Sequence, residues 1–209
     1  MKNFYQQTIF PLFLGIFMRK ESLMKARKEL LADAAGKILE IGFGTGLNLF
    51  AYPADVKKIT VVEVNPGMKP AAEKNIKNSD IKIDWIETSA ESLPFDDNTF
   101  DTVVSTWTFC SIPDIDKALA EIYRVLGPGG SLLFVEHGLN RNKKIAFIQN
   151  KLAPVWKIFG EGCRLNRDIK KIVSKQPFLL KKYKEYSLPK MNFIISHTYQ
   201  STAEKPSSP

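Results

Sequence analysis

Three sets of residues in this chain of 209 could do chemistry. Gly42, Gly44 and Gly46 stand at alternate positions straight after the apolar run Ile38-Leu39-Glu40-Ile41. Without a Cβ, such positions let a bulky ligand lie against the main chain. Glu63 ends a second apolar run, Val61-Val62, and Val64-Asn65-Pro66-Gly67-Met68 follows it. A carboxylate at a strand end accepts both hydroxyls of a ribose, two charge-assisted hydrogen bonds in a fixed geometry. His137 follows a third run, Phe134-Val135-Glu136, and is the candidate catalytic residue, since an imidazole near neutral pH takes or gives a proton. The other histidine, His197, is placed on the last strand.

Spacing narrows the ligand. A dinucleotide fingerprint needs G-x-G-x-x-G, and here Leu47 stands where the third glycine belongs. No phosphate-binding lysine follows the glycines, which excludes a P-loop. Cys110 and Cys163 lie far apart, with no Cys-x-x-Cys and no histidine beside them in sequence. Neither a disulfide framework nor a zinc site is expected, no metal is assigned, and Cys110 is read as packing. That cysteine usage points to a reducing, cytoplasmic compartment.

These residues need a scaffold that brings several strand ends together. Apolar strand patterns at 37–41, 58–64, 81–88, 102–105 and 131–136 alternate with helical patterns at about 47–52, 66–78 and 114–126. Gly127-Pro128-Gly129-Gly130 is the turn feeding the fifth strand. Strand and helix in alternation specify an α/β domain with a doubly wound, parallel sheet. Residues 178–186 and 193–199 predict a final antiparallel pair, making seven strands. The expected organisation is an N-terminal helical cap at 1–36 and a main domain at 37–203. A helical basic insertion at about 140–175 and a disordered tail at 204–209 complete it.

The net charge of +8 is unevenly spread. Residues 141–190 carry fourteen Lys and Arg against Glu161, Asp168 and Glu185, so the basic character belongs to one segment. It suits a solvated face, an anionic membrane surface or an acidic partner; no nucleic acid is expected, because no recognised binding motif accompanies it. The apolar run at 9–18 spans ten residues and contains Pro11 and Gly15, about half of the roughly 20 needed to cross a bilayer. No signal-peptide cleavage pattern is present, and the run suits an edge of the domain or a membrane interface.

The stretch Leu39-Glu40-Ile41-Gly42-Phe43-Gly44-Thr45-Gly46 resembles motif I of class I S-adenosylmethionine-dependent methyltransferases. The likeness continues through Glu63, Ser89-Ala90-Glu91-Ser92-Leu93-Pro94-Phe95, Asn98-Thr99-Phe100-Asp101 and Tyr123-Arg124-Val125-Leu126-Gly127-Pro128-Gly129-Gly130. It implies a Rossmann-like fold with S-adenosyl-L-methionine as cofactor and S-adenosyl-L-homocysteine as its product. On this resemblance Glu40, Gly42, Gly44 and Gly46 wrap the methionine part and Glu63 holds the ribose. Val64, Asn65 and Met68 flank the adenine, Ala90 and Glu91 sit beside its amino group, and Thr106 and Trp107 face the sulfonium. Ser89 stands where many relatives carry aspartate, which leaves a backbone amide as the substitute adenine contact.

Beyond the fifth strand, Phe134-Val135-Glu136-His137, Pro154-Val155-Trp156-Lys157 and Gly162-Cys163 are similar to a branch of small methyltransferases that includes membrane-associated thiol methyltransferases. The expectation is methyl transfer to a small, lipophilic thiol, hydroxyl or amine, with peripheral membrane contact through the N-terminal run and the basic segment. The alternatives are a quinone-precursor C-methyltransferase and a non-catalytic cofactor-binding protein that docks through its basic cap.

Overall fold

The computed structural model describes residues 4–207. One seven-stranded sheet runs in the order β3-β2-β1-β4-β5-β7-β6. The strands are β1 (Ile38–Ile41), β2 (Lys58–Glu63), β3 (Lys82–Glu87), β4 (Phe100–Thr106), β5 (Leu126–His137), β6 (Leu179–Ser187) and β7 (His197–Glu204). The first five are parallel, and β7 is antiparallel to both β5 and β6. The strand order reverses between β1 and β4, the switch point at which a doubly wound sheet opens a crevice beyond its carboxyl ends.

Both faces are covered, so the central strands read as continuous apolar runs. On one face α4 (Ile115–Val125) lays down Ile115, Ala118, Leu119, Ile122 and Val125 at helical spacing. Asp114 caps it by accepting from the Lys117 N–H. Leu119 is fully buried, and Leu119→Ala is expected to cost about 2–5 kcal/mol. On the other face α2 (Glu21–Leu31) packs Leu23, Ala26 and Leu30 into a cluster with Ile38, Val104 and Leu133. Before it come a short π-helical segment, Tyr5–Ile9, and α1 (Phe10–Phe17). The remaining helices are α3 (Met68–Lys77), α5 (Lys143–Phe159) and α6 (Ile169–Val173).

The structure moves three boundaries. The helix expected at 47–52 is a single 3-10 turn, Leu47–Phe50. Pairing of β4 with β5 passes from Phe100–Leu126 straight to Thr102–Ser131, so residues 127–130 bulge out inside a longer strand. The last strand begins at His197 rather than at 193, and it runs to Glu204. The apolar residues Phe193, Ile194 and Ile195 precede it, whereas the strand buries Thr198, Gln200 and Ser201 between its two neighbours. Lys205, placed in the tail by the sequence pattern, donates to the carbonyls of Tyr123 and Leu126 and to Asn98. Positions 208–209 of that tail, and 1–3 of the N-terminal cap, lie outside the described residues. Among the described residues no helix is long and apolar enough to cross a membrane.

Candidate active site

The ends of β1, β2, β4 and β5 open on a cavity of about 1150 Å³. At the end of β1 the chain turns through Gly42 and Gly44 with φ of 71° and 56°. A Cβ on Gly42 would sit 2.4 Å from the Thr108 side chain, so the turn closes only with glycine there. A Cβ on Gly44 would meet nothing within 4 Å, so bare main chain faces open space, a cradle suited to a bound cofactor. Gly46 caps the 3-10 turn and does not line the cavity.

Glu63 is buried at the end of β2. Its carboxylate accepts from the Gly44 N–H and the Asn65 N–H, each at 2.9 Å. Burial pushes its pKa up, and the backbone donors hold it down against that. Val64 is exposed and Met68 buried, and both line the cavity. Asn65 spends its side chain on the scaffold: it accepts from the Gly67 N–H at 2.9 Å and donates to the Gln6 carbonyl at 3.0 Å. Ala90 and Glu91 line the cavity from the loop after β3, where the Ser89 hydroxyl donates to Glu91 at 3.0 Å.

Thr106 ends β4, and Trp107 follows it with φ of 52°. The guanidinium of Arg27, on α2, lies 4.6 Å from the Trp107 ring centroid. Arg27 donates to Asn48 Oδ1 at 3.0 Å and to the Met18 carbonyl at 3.1 Å. Asn48 passes the connection on, donating to Glu40 at 3.0 Å and Thr106 at 3.1 Å, while the Tyr52 hydroxyl donates to Glu40 at 2.7 Å. Glu40 is not among the residues that line the cavity, and it braces the glycine turn through Asn48 and Tyr52. Burial pushes its pKa up to about 7 despite these donors, and burial lowers that of Arg27 to about 10.

Arg27, Asn48 and Tyr52 were not legible as site residues. Arg27 belongs to a charged helix pattern, yet it stands four residues after Leu23 and three before Leu30, on the buried face. That register was the available signal.

At the end of β5, His137 is buried against the cavity. Its Nε2 lies 3.1 Å from Cys163 Sγ, and its Nδ1 has no hydrogen-bond partner among the described residues. Cys110, from the turn after β4, joins them: the three ligand-type atoms lie within 4.8 Å of one another. The fold thus brings both cysteines beside a histidine that lies 27 and 26 positions away in sequence. A hydrogen bond with Cys163, together with burial, pushes the Cys110 thiol well up. Behind them Glu136 accepts from the Thr108 and Phe109 N–H groups at 2.6 and 2.9 Å, and burial pushes its pKa up to about 8. His197 does not line the cavity; its Nε2 lies 3.1 Å from Glu185.

The cavity is roofed by the N-terminal segment. Tyr5 donates to the Phe159 carbonyl at 2.7 Å and Gln6 to Glu161 at 2.6 Å, tying it to the end of α5. A Cβ on Gly67 would fall 2.4 Å from the Gln7 backbone, so the roof lies directly on the loop after β2. Phe10, Phe13, Leu14 and Phe17 give it an apolar inner surface.

Residues 39–134 match the family model described as a methyltransferase domain. The chain is 36% identical over 186 residues to the thiol S-methyltransferase TMT1B of Rattus norvegicus, covering 85% of this chain and 76% of that protein. It is 30% identical over 205 residues to the human thiol S-methyltransferase TMT1A, covering 91% and 84%. Among solved structures, the N-methyltransferase NodS from Bradyrhizobium japonicum WM9, in complex with S-adenosyl-L-homocysteine, superposes with a TM-score of 0.66 at 16% identity. It covers 90% of this chain and 89% of that one. With the open glycine turn facing Glu63, these likenesses show that the chain belongs to the class I S-adenosylmethionine-dependent methyltransferases, in the family of the TMT1 thiol S-methyltransferases.

Proposed function

We propose that this methyltransferase acts on the sulfur of a small, lipophilic thiol and works at a membrane surface. The observation that carries the reading is the cavity itself. One end is main chain and carboxylate, Gly42, Gly44 and Glu63, and the rest is walled by Phe10, Phe13, Phe17, Ile112 and Ile195. A polar end beside an apolar chamber fits a charged cofactor next to an apolar acceptor.

When bound, the cofactor supplies a methyl group already activated on a positively charged sulfur. Gly42 and Gly44 receive its methionine part and Glu63 its ribose hydroxyls. Val64, Asn65 and Met68 border the adenine on one side, with Ala90 and Glu91 on the other. Thr106 and Trp107 stand at the reacting centre, and Glu40 and Gly46 hold the turn from behind. His137, on the acceptor side, serves to activate the acceptor. The protein's remaining task is to align the nucleophile and exclude water, which the aromatic roof supports.

The membrane reading rests on exposed apolar residues at the cavity rim. Leu12, Phe13 and Ile16 on α1, and Val155, Ile158 and Phe159 on α5, are all more than half exposed. Phe13 and Phe159 also line the cavity, so its rim and the exposed apolar face are continuous. Lys151 precedes the α5 residues and Lys157 stands among them, an arrangement suited to anionic headgroups.

The test is an acceptor screen with labelled S-adenosylmethionine across alkyl thiols, phenols, amines and demethylated quinone precursors. The reading expects the methyl group on the thiols.

A further inference from the structure

Cys110, His137 and Cys163 come from three separate elements: the turn after β4, the end of β5 and the loop after α5. Two thiols and an imidazole within 4.8 Å of one another make up the Cys₂His donor set of catalytic zinc sites that keep a fourth position open. We propose that these residues bind a zinc ion whose open position faces the cavity and takes the sulfur of the acceptor thiol. The inference rests on the thiol reading above and gives His137 its part in acceptor activation.

One of the three donor pairs already stands near its bonding separation. Zinc–nitrogen and zinc–sulfur bonds of about 2.0 and 2.3 Å at a tetrahedral angle separate the two ligand atoms by roughly 3.5 Å. His137 Nε2 and Cys163 Sγ stand at 3.1 Å, a few tenths closer than that. The other ring nitrogen, Nδ1, is buried with no partner among the described residues, so no hydrogen bond ties the imidazole to one tautomer.

The surroundings hold the three donors in place. Arg167 is buried and donates to the carbonyls of Phe109 and Ile112, stapling the Cys110 turn to the segment that follows Cys163. The Arg164 N–H donates to the Cys110 carbonyl at 2.9 Å. Gly162 has φ of 90°, and a Cβ there would fall 3.0 Å from the Ser111 carbonyl oxygen, so the chain enters Cys163 pressed against that turn. Such outer contacts orient metal ligands.

The chemistry balances. Two cysteine thiolates and a neutral imidazole bring the charge of the zinc site to zero. An acceptor thiol that coordinates the metal loses its proton to solvent, because a metal-bound thiol is deprotonated. The resulting sulfur forms a bond to the methyl carbon as the sulfonium–methyl bond breaks, and that electron pair stays on the cofactor sulfur. The product is a neutral thioether, a weaker ligand, and it leaves the metal.

The experiment measures metal before any activity. The full chain is incubated with zinc, desalted and assayed for metal, with S-adenosylhomocysteine binding as the check on folding. About one zinc per chain is expected in the native sequence. At least a tenfold loss is expected in Cys163→Ser and Cys110→Ser, with S-adenosylhomocysteine affinity within about twofold. Cobalt(II)-loaded protein should show a thiolate charge-transfer band that changes when 1-butanethiol is added. Protein that folds and binds S-adenosylhomocysteine but retains no metal overturns the proposal, as does metal that persists in the double cysteine variant. If metal-free protein methylates thiols at the full rate, the metal is wrong and the thiol reading stands. If the cobalt spectrum ignores every thiol, the coordination step is wrong.

Discussion

Glu63 accepts a hydrogen bond from the Gly44 N–H at 2.9 Å, so the end of β2 and the glycine turn after β1 form one unit before any ligand arrives. Removing the carboxylate releases both the Gly44 turn and the Asn65 loop. Glu63→Ala is expected to weaken S-adenosylhomocysteine binding by about 10²-fold, the size of two lost bonds to a charged group. Isothermal calorimetry measures it; an unchanged affinity would remove Glu63 from the cofactor site.

Among the described residues Arg27 is the one cation in the buried network joining α2 to the floor of the site, and it lies on the Trp107 ring. Arg27→Met removes that charge and leaves Asn48 and the Met18 carbonyl short of a donor. A loss of about 3 kcal/mol is expected in urea unfolding, as for breaking a buried polar pair. Arg27→Lys should recover part of it, since an ammonium reaches one partner at a time. A loss within experimental error for Arg27→Met contradicts this reading.

The buried Glu40 makes stability depend on pH. Its pKa is raised to about 7 in the folded protein, so between its unfolded value and 7 the folded state holds the extra proton. Stability contributed by that proton is present at low pH and is lost as pH rises from about 5 to 7, at up to ~1.4 kcal/mol per unit. Glu40→Gln keeps an oxygen acceptor for Tyr52 and removes the titration. Melting temperatures across that window should slope less in Glu40→Gln than in the native chain. Parallel slopes would mean Glu40 stays ionised.

The exposed rim predicts salt-sensitive and patch-sensitive docking. The chain should sediment with vesicles containing phosphatidylserine, less so as salt rises, because the lysine contribution is screened. Ile16→Asp with Ile158→Asp should reduce bound protein at least about fivefold, while S-adenosylhomocysteine affinity stays unchanged, since neither side chain reaches the cofactor end. Equal sedimentation of the variant and the native chain would remove the rim from the interface.

Parallel strands announce themselves well in sequence, and this chain shows why. β1, β2 and β4 are buried on both faces, so their apolar runs and the glycines after β1 survive as local patterns. β7 does not, because Thr198, Gln200 and Ser201 are buried polar residues, and Phe193 and Ile194 offered a more apolar stretch just upstream. The active-site gaps have the same origin. Cys110, His137 and Cys163 are 27 and 26 positions apart, and only the topology that sets β4 beside β5 and folds the α5 loop over them makes a cluster. Arg27 was hidden by its charged neighbours, although its helical register put it on the buried face.

The proposed reaction places the methyl group on sulfur rather than on oxygen or carbon. Incubation of the purified chain with labelled S-adenosylmethionine and an equimolar mixture of an alkyl thiol, a phenol and a demethylated quinone precursor tests it most directly. Mass spectrometry of the products is predicted to show the alkyl methyl thioether as the main species. Label on the quinone carbon or the phenol oxygen with no thioether, from protein that binds S-adenosylhomocysteine, would rule out sulfur as the acceptor.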